Sequence, residues 1–238
     1  MIQKAVDFVR KNRYHFAVLL LLAFASVVCA ILLAARIEIT DSRRYLFLAW
    51  NLFLAWIPVV FAYFALIFSQ RRILLYAIVP VFALLWLIFF PNAPYILTDL
   101  QHLALEMTDV PVWYDVILLI WFSWTGVLLG VVSFYIMHMI ILGAFGRLAG
   151  WVFVLIVSGL SSLGIYLGRY GRFNSWDIFQ HPSEVALTLL GRVIDPSLRL
   201  FAFTGLLTAF FLFVYLTLYA FGHLLRENPS RPALETTD

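Results

Sequence analysis

Six long apolar segments constrain this chain more than any other feature of its sequence. They cover residues 16–35, 45–68, 73–90, 116–142, 151–167 and 200–222. A helix needs about 17 to 25 mostly apolar residues to cross the hydrocarbon core of a bilayer, and every segment is about that long or longer. The period-two alternation of a membrane β-barrel is missing. The sequence therefore predicts an all-α fold, an integral membrane helix bundle with about six transmembrane helices.

Composition excludes a soluble fold. Hydrophobic residues make up 64% of the 238 residues and charged residues 12%, against about half and about a quarter in soluble domains. We expect a single transmembrane domain over residues 1–238, with cytoplasmic tails at 1–15 and 223–238. The net charge of +3 lies in the loops, which predicts contact with membrane lipids and not with nucleic acid. The single cysteine, Cys29, excludes an intramolecular disulfide and a cysteine metal cluster.

The basic residues predict how the bundle is oriented in the cell membrane. With the amino terminus inside, nine basic residues are cytoplasmic: Lys4, Arg10, Lys11, Arg13, Arg71, Arg72, Arg147, Arg226 and Arg231. Seven lie on the other side: Arg36, Arg43, Arg44, Arg169, Arg172, Arg192 and Arg199. Because cytoplasmic segments carry the excess of basic residues, we expect a multi-pass protein of the cytoplasmic (inner) membrane with both termini in the cytoplasm.

Residues 90–103 read FPNAPYILTDLQHL and form one of the two stretches of the chain in which polar residues are concentrated. Pro91 and Pro94 predict the end of the third transmembrane helix, because proline has no backbone N–H to donate. Thr98 and Gln101 match a capping box, which predicts a short interfacial helix from Thr98 onward. On that helix one face collects Asp99, His102, Glu106 and Asp109.

Two interpretations of this polar face stay open. In the first, the face is solvated and the helix lies on the membrane surface. In the second, Asp99, His102 and Glu106 converge on a ligand or a cation. The spacing differs from the metal-binding pattern HExxH, so no metal is assigned.

A second polar cluster, RYGRFNSWD, covers residues 169–177. An even number of membrane-spanning segments separates it from the first motif, so we expect both on one face, which the orientation above makes extracytoplasmic. Arg169 and Arg172 either reach lipid phosphates from a helix end or take a functional part. In the functional interpretation one of them pairs with Asp99, or binds a phosphate or carboxylate bidentately.

The residues around and after this cluster predict local structure. Asn174 and Asp177 are typical of a turn held by a side chain, and Trp176 is typical of an anchor at the membrane interface. A second short interfacial helix is expected to begin at Pro182 and to end at Asp195, before Pro196.

Few polar residues lie inside the apolar segments. Asn51 and His138 are candidates for a ligand pathway, but both lie close to a helix end, which equally suits a satisfied interfacial group. Small residues four apart predict close helix packing at two places, Gly126 with Gly130 and Ser158 with Ser162.

The two motifs together resemble a family of bacterial multi-pass membrane proteins, domain of unknown function thirteen sixty-one. The first family motif, PNAPY-x-x-TD-x-x-HL, matches Pro91, Asn92, Ala93, Pro94, Tyr95, Thr98, Asp99, His102 and Leu103. The second, an Arg-containing NSWD stretch, matches Arg172, Asn174, Ser175, Trp176 and Asp177. The resemblance covers most of the chain, implies a multi-pass membrane fold and carries no established activity. It does not extend to Glu106.

Three classes of function remain open. The first is an enzyme that acts on a lipid or glycolipid headgroup, with Asp99 or His102 as general base and Arg172 holding phosphate. The second is a transporter or binder of a small anionic ligand, and the third is a structural or accessory subunit. The catalytic candidates are Asp99, His102, Arg172 and Asp177. The ligand-binding candidates are Asn92, Tyr95, Arg169, Asn174 and Trp176. No pattern identifies a cofactor or a protein partner.

Overall fold

The structure, a computed structural model, describes residues 13–105, 110–195 and 197–224, and these residues form helices, turns and bends without a strand. The α-helices are α1 Arg13–Thr40, α2 Leu46–Ser69, α3 Arg72–Ala77, α4 Val79–Phe89, α5 Asn92–Tyr95, α6 Val112–Phe145, α7 Arg147–Tyr166, α8 Asp177–Gln180, α9 Pro182–Ile194 and α10 Leu198–Leu224. A 3₁₀-helix covers Ile96–Leu105 and a π-helical turn covers Leu167–Gly171. The predicted tails, 1–15 and 223–238, lie mostly outside the described residues.

Six helical segments of the described chain are long and apolar enough to cross a membrane. They are Tyr14–Thr40, Leu46–Ser69, Val79–Leu103, Val112–Phe145, Arg147–Gly171 and Leu198–His223. The predicted all-α bundle of membrane-spanning helices is confirmed. Four of the segments extend past both ends of the apolar run that predicted them, because helical hydrogen bonding continues into the polar flanks. The second lies within one residue of its run, and the third begins only at Val79, because Arg72–Ala77 form the separate helix α3.

Helix α6 is the centre of the bundle. It packs against α1, α2, α7 and the 3₁₀-helix, and its 34 residues make it about 51 Å long at 1.5 Å per residue. That exceeds a hydrocarbon core of about 30 Å, so turns at its ends project beyond the apolar region. Gly146 joins α6 to α7 at a φ of 88°, a conformation that favours glycine because it has no Cβ.

Two glycines of α6 let the PNAPY segment pack directly onto its backbone. A Cβ on Gly126 would lie 2.7 Å from the Ala93 carbonyl oxygen, and one on Gly130 would lie 3.4 Å from the Ala93 Cβ. Ala93 is fully buried. The predicted close packing at the glycine pair therefore positions the polar motif, because α5 sits where a larger residue on α6 would push it away.

A stack of aromatic rings fills the middle of the bundle. Trp86 and Phe90 stack with ring centroids 4.6 Å apart, and Phe90 stacks on Phe134 at 5.3 Å. Phe134 in turn meets Phe211 at 5.4 Å and Tyr215 at 4.7 Å, both edge-on. Such offset and edge-to-face pairs add to the stabilisation that burial itself supplies.

A buried ion pair fastens α1 to the start of α6. The Arg36 guanidinium donates to both carboxylate oxygens of Asp115, over 2.7 and 3.1 Å, and it lies 4.2 Å from the ring centroid of Tyr45. Because a buried charge without a partner is costly, this bidentate pair explains how α1 carries an arginine into the bundle.

The predicted helix stop at the prolines is only partly right. The α-helical pattern of α4 ends at Phe89, but Pro91 keeps helical backbone angles and the chain continues through α5 into the 3₁₀-helix. The Ala93 N–H bonds the Phe90 carbonyl, so the Phe89 carbonyl lacks its usual donor, and the Asn92 side-chain amide supplies one at 3.0 Å. The prolines therefore change the helix type instead of ending helical structure.

The capping-box prediction is wrong. Thr98 lies inside the 3₁₀-helix, and its hydroxyl donates to the Tyr95 carbonyl at 2.7 Å. A helical turn already precedes Thr98, so it has no free helix start to cap. The solvated polar face is also wrong for Asp99, which is fully buried. Glu106 and Asp109, predicted on the same face, lie outside the described residues.

Candidate functional site

The two polar motifs lie at the same end of the bundle. We call this end, which carries residues 92–105 and 167–180, the motif face. The opposite face carries the start of α1 and the end of α10. The motifs touch directly, because the Asn92 side-chain amide also donates to the Ser175 hydroxyl at 2.8 Å.

A buried ion pair forms the second link between the motifs. An Asp99 carboxylate oxygen accepts from the Arg169 guanidinium at 2.6 Å, and the other oxygen accepts from the Asn51 side-chain amide at 2.9 Å. The Asp99 side chain is 1% exposed and the Arg169 side chain 11% exposed. Each carboxylate oxygen thus has a donor, which offsets the cost of burying the charge.

Arg169 contacts three residues of the first motif. Besides Asp99, its Nε donates to the Thr98 hydroxyl at 3.1 Å, and its guanidinium lies 4.5 Å from the ring centroid of Tyr95. Three residues of the first motif therefore orient one arginine of the second. This arginine is a positioned group and not a freely moving cation.

The backbone that carries the two arginines departs from a regular helix. Leu167–Gly171 form a π-helical turn, and Arg172 follows with a φ of 58° in the left-handed region. A Cβ on Gly168 would lie 3.3 Å from both the Phe173 carbonyl oxygen and the Tyr95 ring, so the turn packs tightly on the first motif. π-turns and left-handed non-glycine residues are uncommon and often occur at functional sites.

A cavity of about 760 Å³ lies between the motifs and the helices beneath them. Its end at the motif face is polar, with Asn92, Tyr95, Gln101, His102, Arg169, Arg172, Asn174 and Ser175 among its lining residues. Its other end is aliphatic and is lined by Leu54, Leu87, Ile88, Leu160 and Leu163. The volume falls within the range of about 300 to 1,000 Å³ that is usual for ligand pockets.

Charge in the cavity has one sign. The described lining residues include two arginines and a histidine and no Asp or Glu. The charge of Arg169 is compensated by Asp99. Arg172 is exposed and has no ion pair with the residues that the structure describes. Within the described part of the chain, the cavity therefore presents one guanidinium group without an ion pair.

Of the residues singled out in the sequence, most line this cavity: Asn92, Tyr95, His102, Arg169, Arg172 and Asn174. Asp99 lies behind the lining, against Arg169. An Asp177 carboxylate oxygen accepts from the Asn174 backbone N–H at 2.6 Å and holds the turn before α8. The Trp176 ring lies 6.4 Å from that of Trp50, which lines the cavity. The assignment of these residues as a functional site stays a prediction.

Sequence reasoning left Asn51 out of the site. It considered this residue for a ligand pathway or as a satisfied interfacial group, whereas the structure brings its side-chain amide to Asp99. The partners are 48 residues apart, so no local pattern could join them. The aliphatic end of the cavity was missed for the same reason, because Leu54, Leu87 and Leu160 look like any other membrane-facing leucines.

Only Asp99 and His102 of the residues considered for a cation lie in the described part of the chain. Among the described residues, no group of three or more His, Cys, Asp or Glu side chains comes close enough to hold a metal ion. Glu106, the third member of the predicted set, lies outside the described residues.

Fold and site together define a multi-pass helical membrane protein in which two polar segments form one face of a cavity. Residues 50–218 match the model of a protein family described as "Protein of unknown function (DUF1361)". Because the match covers more than half of the chain, the chain belongs to this family. The family predicted from the sequence is confirmed. The match includes both motifs and Asn51 but not α1. No curated protein and no solved structure matches the chain.

Proposed function

We propose that this protein binds an anionic group at the motif face, either a lipid or glycolipid headgroup or a small anionic ligand. The charge of the cavity is the observation that supports this most, since Arg172 has no ion pair with a described residue and the described lining carries no acidic residue. A guanidinium group binds phosphate or carboxylate through two parallel hydrogen bonds. Neighbouring neutral donors, such as the amide of Gln101, suit the remaining oxygens of such a group.

The roles within the site follow from what each side chain already binds. Arg172 and Asn174 face the cavity as ligand contacts, and Arg169 presents a guanidinium edge that Asp99 holds in place. His102 lines the cavity, so it is our candidate for general base or acid in a reaction at the headgroup. Asp99 has both oxygens engaged, which favours a positioning role over the base role considered from the sequence.

A ligand-binding test follows from the charge that Arg172 brings to the cavity. Purified protein in detergent is heated with and without glycerophosphoglycerol, a water-soluble phosphodiester, and the shift in Tm measures binding. We expect Arg172→Gln to weaken binding about 10- to 100-fold, because a hydrogen bond to a charged group contributes about 1.5–3 kcal/mol. Arg43→Gln is the matched control, since Arg43 is exposed and outside the cavity. Equal shifts for both variants would rule out Arg172 as the anion contact.

We also propose that the motif face is extracytoplasmic and that both termini are cytoplasmic, as the basic residues indicate. Alkaline phosphatase, which is active only outside the cytoplasm, would be fused after Arg72 or after Leu105. The proposal expects activity from the second fusion and not from the first. Activity from the fusion after Arg72 alone would reverse the orientation.

A transporter is the second candidate, favoured by another cavity at the opposite face. This cavity measures about 320 Å³ and is lined by Tyr63, Tyr135, Tyr215 and Tyr219 among others. The stack from Trp86 to Phe134 fills the core between the two cavities, with Phe134 packed on Tyr215. Transport would require these rings to separate. Uptake of glycerophosphoglycerol into proteoliposomes would favour this candidate, and binding without uptake would exclude it for this solute.

A further inference from the structure

Resting on the proposed anion site, we infer that the ligand is a membrane lipid with a phosphodiester headgroup, one acyl chain of which lies in the aliphatic end of the same cavity. The cavity is continuous from the guanidinium of Arg172 to the side chains of Leu54 and Leu160. One ligand that fills it must therefore carry a charge at one end and hydrocarbon at the other.

The depth of the aliphatic end matches part of an acyl chain. Leu160 and Leu167 both line the cavity and are seven residues apart on α7 and the turn that follows it, about 10 Å along the helix axis. That is about a third of the hydrocarbon core of a bilayer. A small soluble anion would fill only the polar end, and water would not fill the remaining depth, because aliphatic walls offer it no hydrogen-bond partners.

The side of the cavity gives a lipid a way in from the bilayer. Leu160 is 46% exposed and Trp50 is 54% exposed, and both line the cavity within membrane-spanning segments. A chain already in the bilayer can reach the leucines laterally, without leaving hydrocarbon. Only the headgroup then leaves water, and it moves into the polar end of the cavity.

The headgroup should carry a single negative charge. The Arg169 charge is balanced by Asp99, so Arg172 supplies the one uncompensated positive charge among the charged lining residues that the structure describes. A phosphodiester carries one negative charge, and its two free oxygens fit one guanidinium fork. We therefore choose phosphatidylglycerol as the probe.

The experiment places a photoreactive group in the acyl chain of phosphatidylglycerol and reconstitutes the full chain in phosphatidylcholine nanodiscs containing this probe. After illumination and proteolysis, mass spectrometry locates the adducts. We expect adducts concentrated at Leu54, Leu87 and Leu160. Diacylglycerol with the same photoreactive chain, which lacks the phosphodiester, should give a much lower yield at these leucines.

Two variants distinguish labelling inside the cavity from labelling of the outer surface by bulk lipid. Leu160→Trp fills the aliphatic end, whereas Leu155→Trp changes a residue of the same helix that is 61% exposed and outside the cavity. We expect the first variant to reduce cavity labelling to the yield obtained with the diacylglycerol probe and the second to leave it unchanged.

Two results with wild-type protein would overturn the lipid inference, even if neither variant folded. The first is labelling at the cavity leucines that is no stronger than labelling at Leu155. The second is equal labelling of the cavity leucines by the two probes. Glycerophosphoglycerol has no acyl chain and therefore needs no aliphatic end. Its binding to wild type, and the loss of that binding in Arg172→Gln, test the anion site independently of the lipid inference. Retained binding with failed cavity labelling would leave a soluble anion as the ligand. Loss of both would remove the site altogether.

Discussion

At the scale of single residues, two arginines three positions apart have different tasks. Arg169 is buried against Asp99, Thr98 and Tyr95, whereas Arg172 is exposed beside the cavity. In a regular helix, residues three apart share a face. The π-helical turn that ends at Gly171 and the left-handed backbone of Arg172 separate the two guanidinium groups. One arginine therefore holds the motifs together, and the other stays available to a ligand.

Removing the partner of Arg169 should destabilise the protein strongly. Asp99→Asn leaves a buried guanidinium uncompensated, and breaking such a pair costs about 3–5 kcal/mol. Thermal unfolding in detergent measures the loss. Asp177→Asn is the matched control, because Asp177 is partly exposed and its amide replacement can still accept from the Asn174 N–H.

The double variant Asp99→Asn with Arg169→Gln should recover part of that stability, since it removes both charges. Equal stability of Asp99→Asn and Asp177→Asn would contradict the account of this ion pair. A stable Asp99→Asn protein that no longer binds glycerophosphoglycerol would instead give Asp99 a direct part in the site, as one of the catalytic candidates named from the sequence.

At the scale of helices, the first motif depends on the surface that α6 offers it. Gly126 and Gly130 let α5 approach the α6 backbone, and the Ser123 hydroxyl donates to the Ile96 carbonyl at 3.1 Å. The sequence predicted the close packing but not its partner, because the glycine pair faces the PNAPY turn of the third membrane-spanning segment instead of a regular α-helix. The capping-box prediction is wrong for a related reason. The prolines predicted a helix end before Thr98, whereas Thr98 follows a helical turn.

Adding one methyl group to α6 tests this packing. Gly126→Ala would place a Cβ 2.7 Å from the Ala93 carbonyl oxygen, so the PNAPY segment must move, and overpacking of this kind costs about 1–3 kcal/mol. Gly143→Ala on the same helix has nothing within 4 Å and should be neutral or stabilising by up to about 1 kcal/mol. Thermal unfolding compares the two. A Gly126→Ala protein as stable as Gly143→Ala would show that α5 does not rest on α6.

At the scale of the whole molecule, hydropathy was sufficient to predict the fold and insufficient to predict the site. Six apolar runs identified the membrane-spanning helices because each run is long enough by itself. The contacts that make the site join residues far apart in sequence: 48 positions for Asn51 and Asp99, 70 for Asp99 and Arg169, and 83 for Asn92 and Ser175. Such pairs depend on how the helices pack, which no local pattern records. The sequence did indicate which polar residues could form these contacts, because the two motifs contain Asn92, Asp99 and Arg169.

The central claim is that the two polar segments meet to form one site, and a cysteine crosslink tests it most directly. Cysteines replace Asn92 and Ser175, whose side chains are in contact at 2.8 Å, in a Cys29→Ala background. The control pair combines Asn92→Cys with Ser183→Cys, an exposed position at the start of α9. In native membranes, a short bifunctional thiol reagent is predicted to crosslink the first pair efficiently and the control pair poorly. No crosslink between positions 92 and 175, or equal yields for both pairs, would contradict the account.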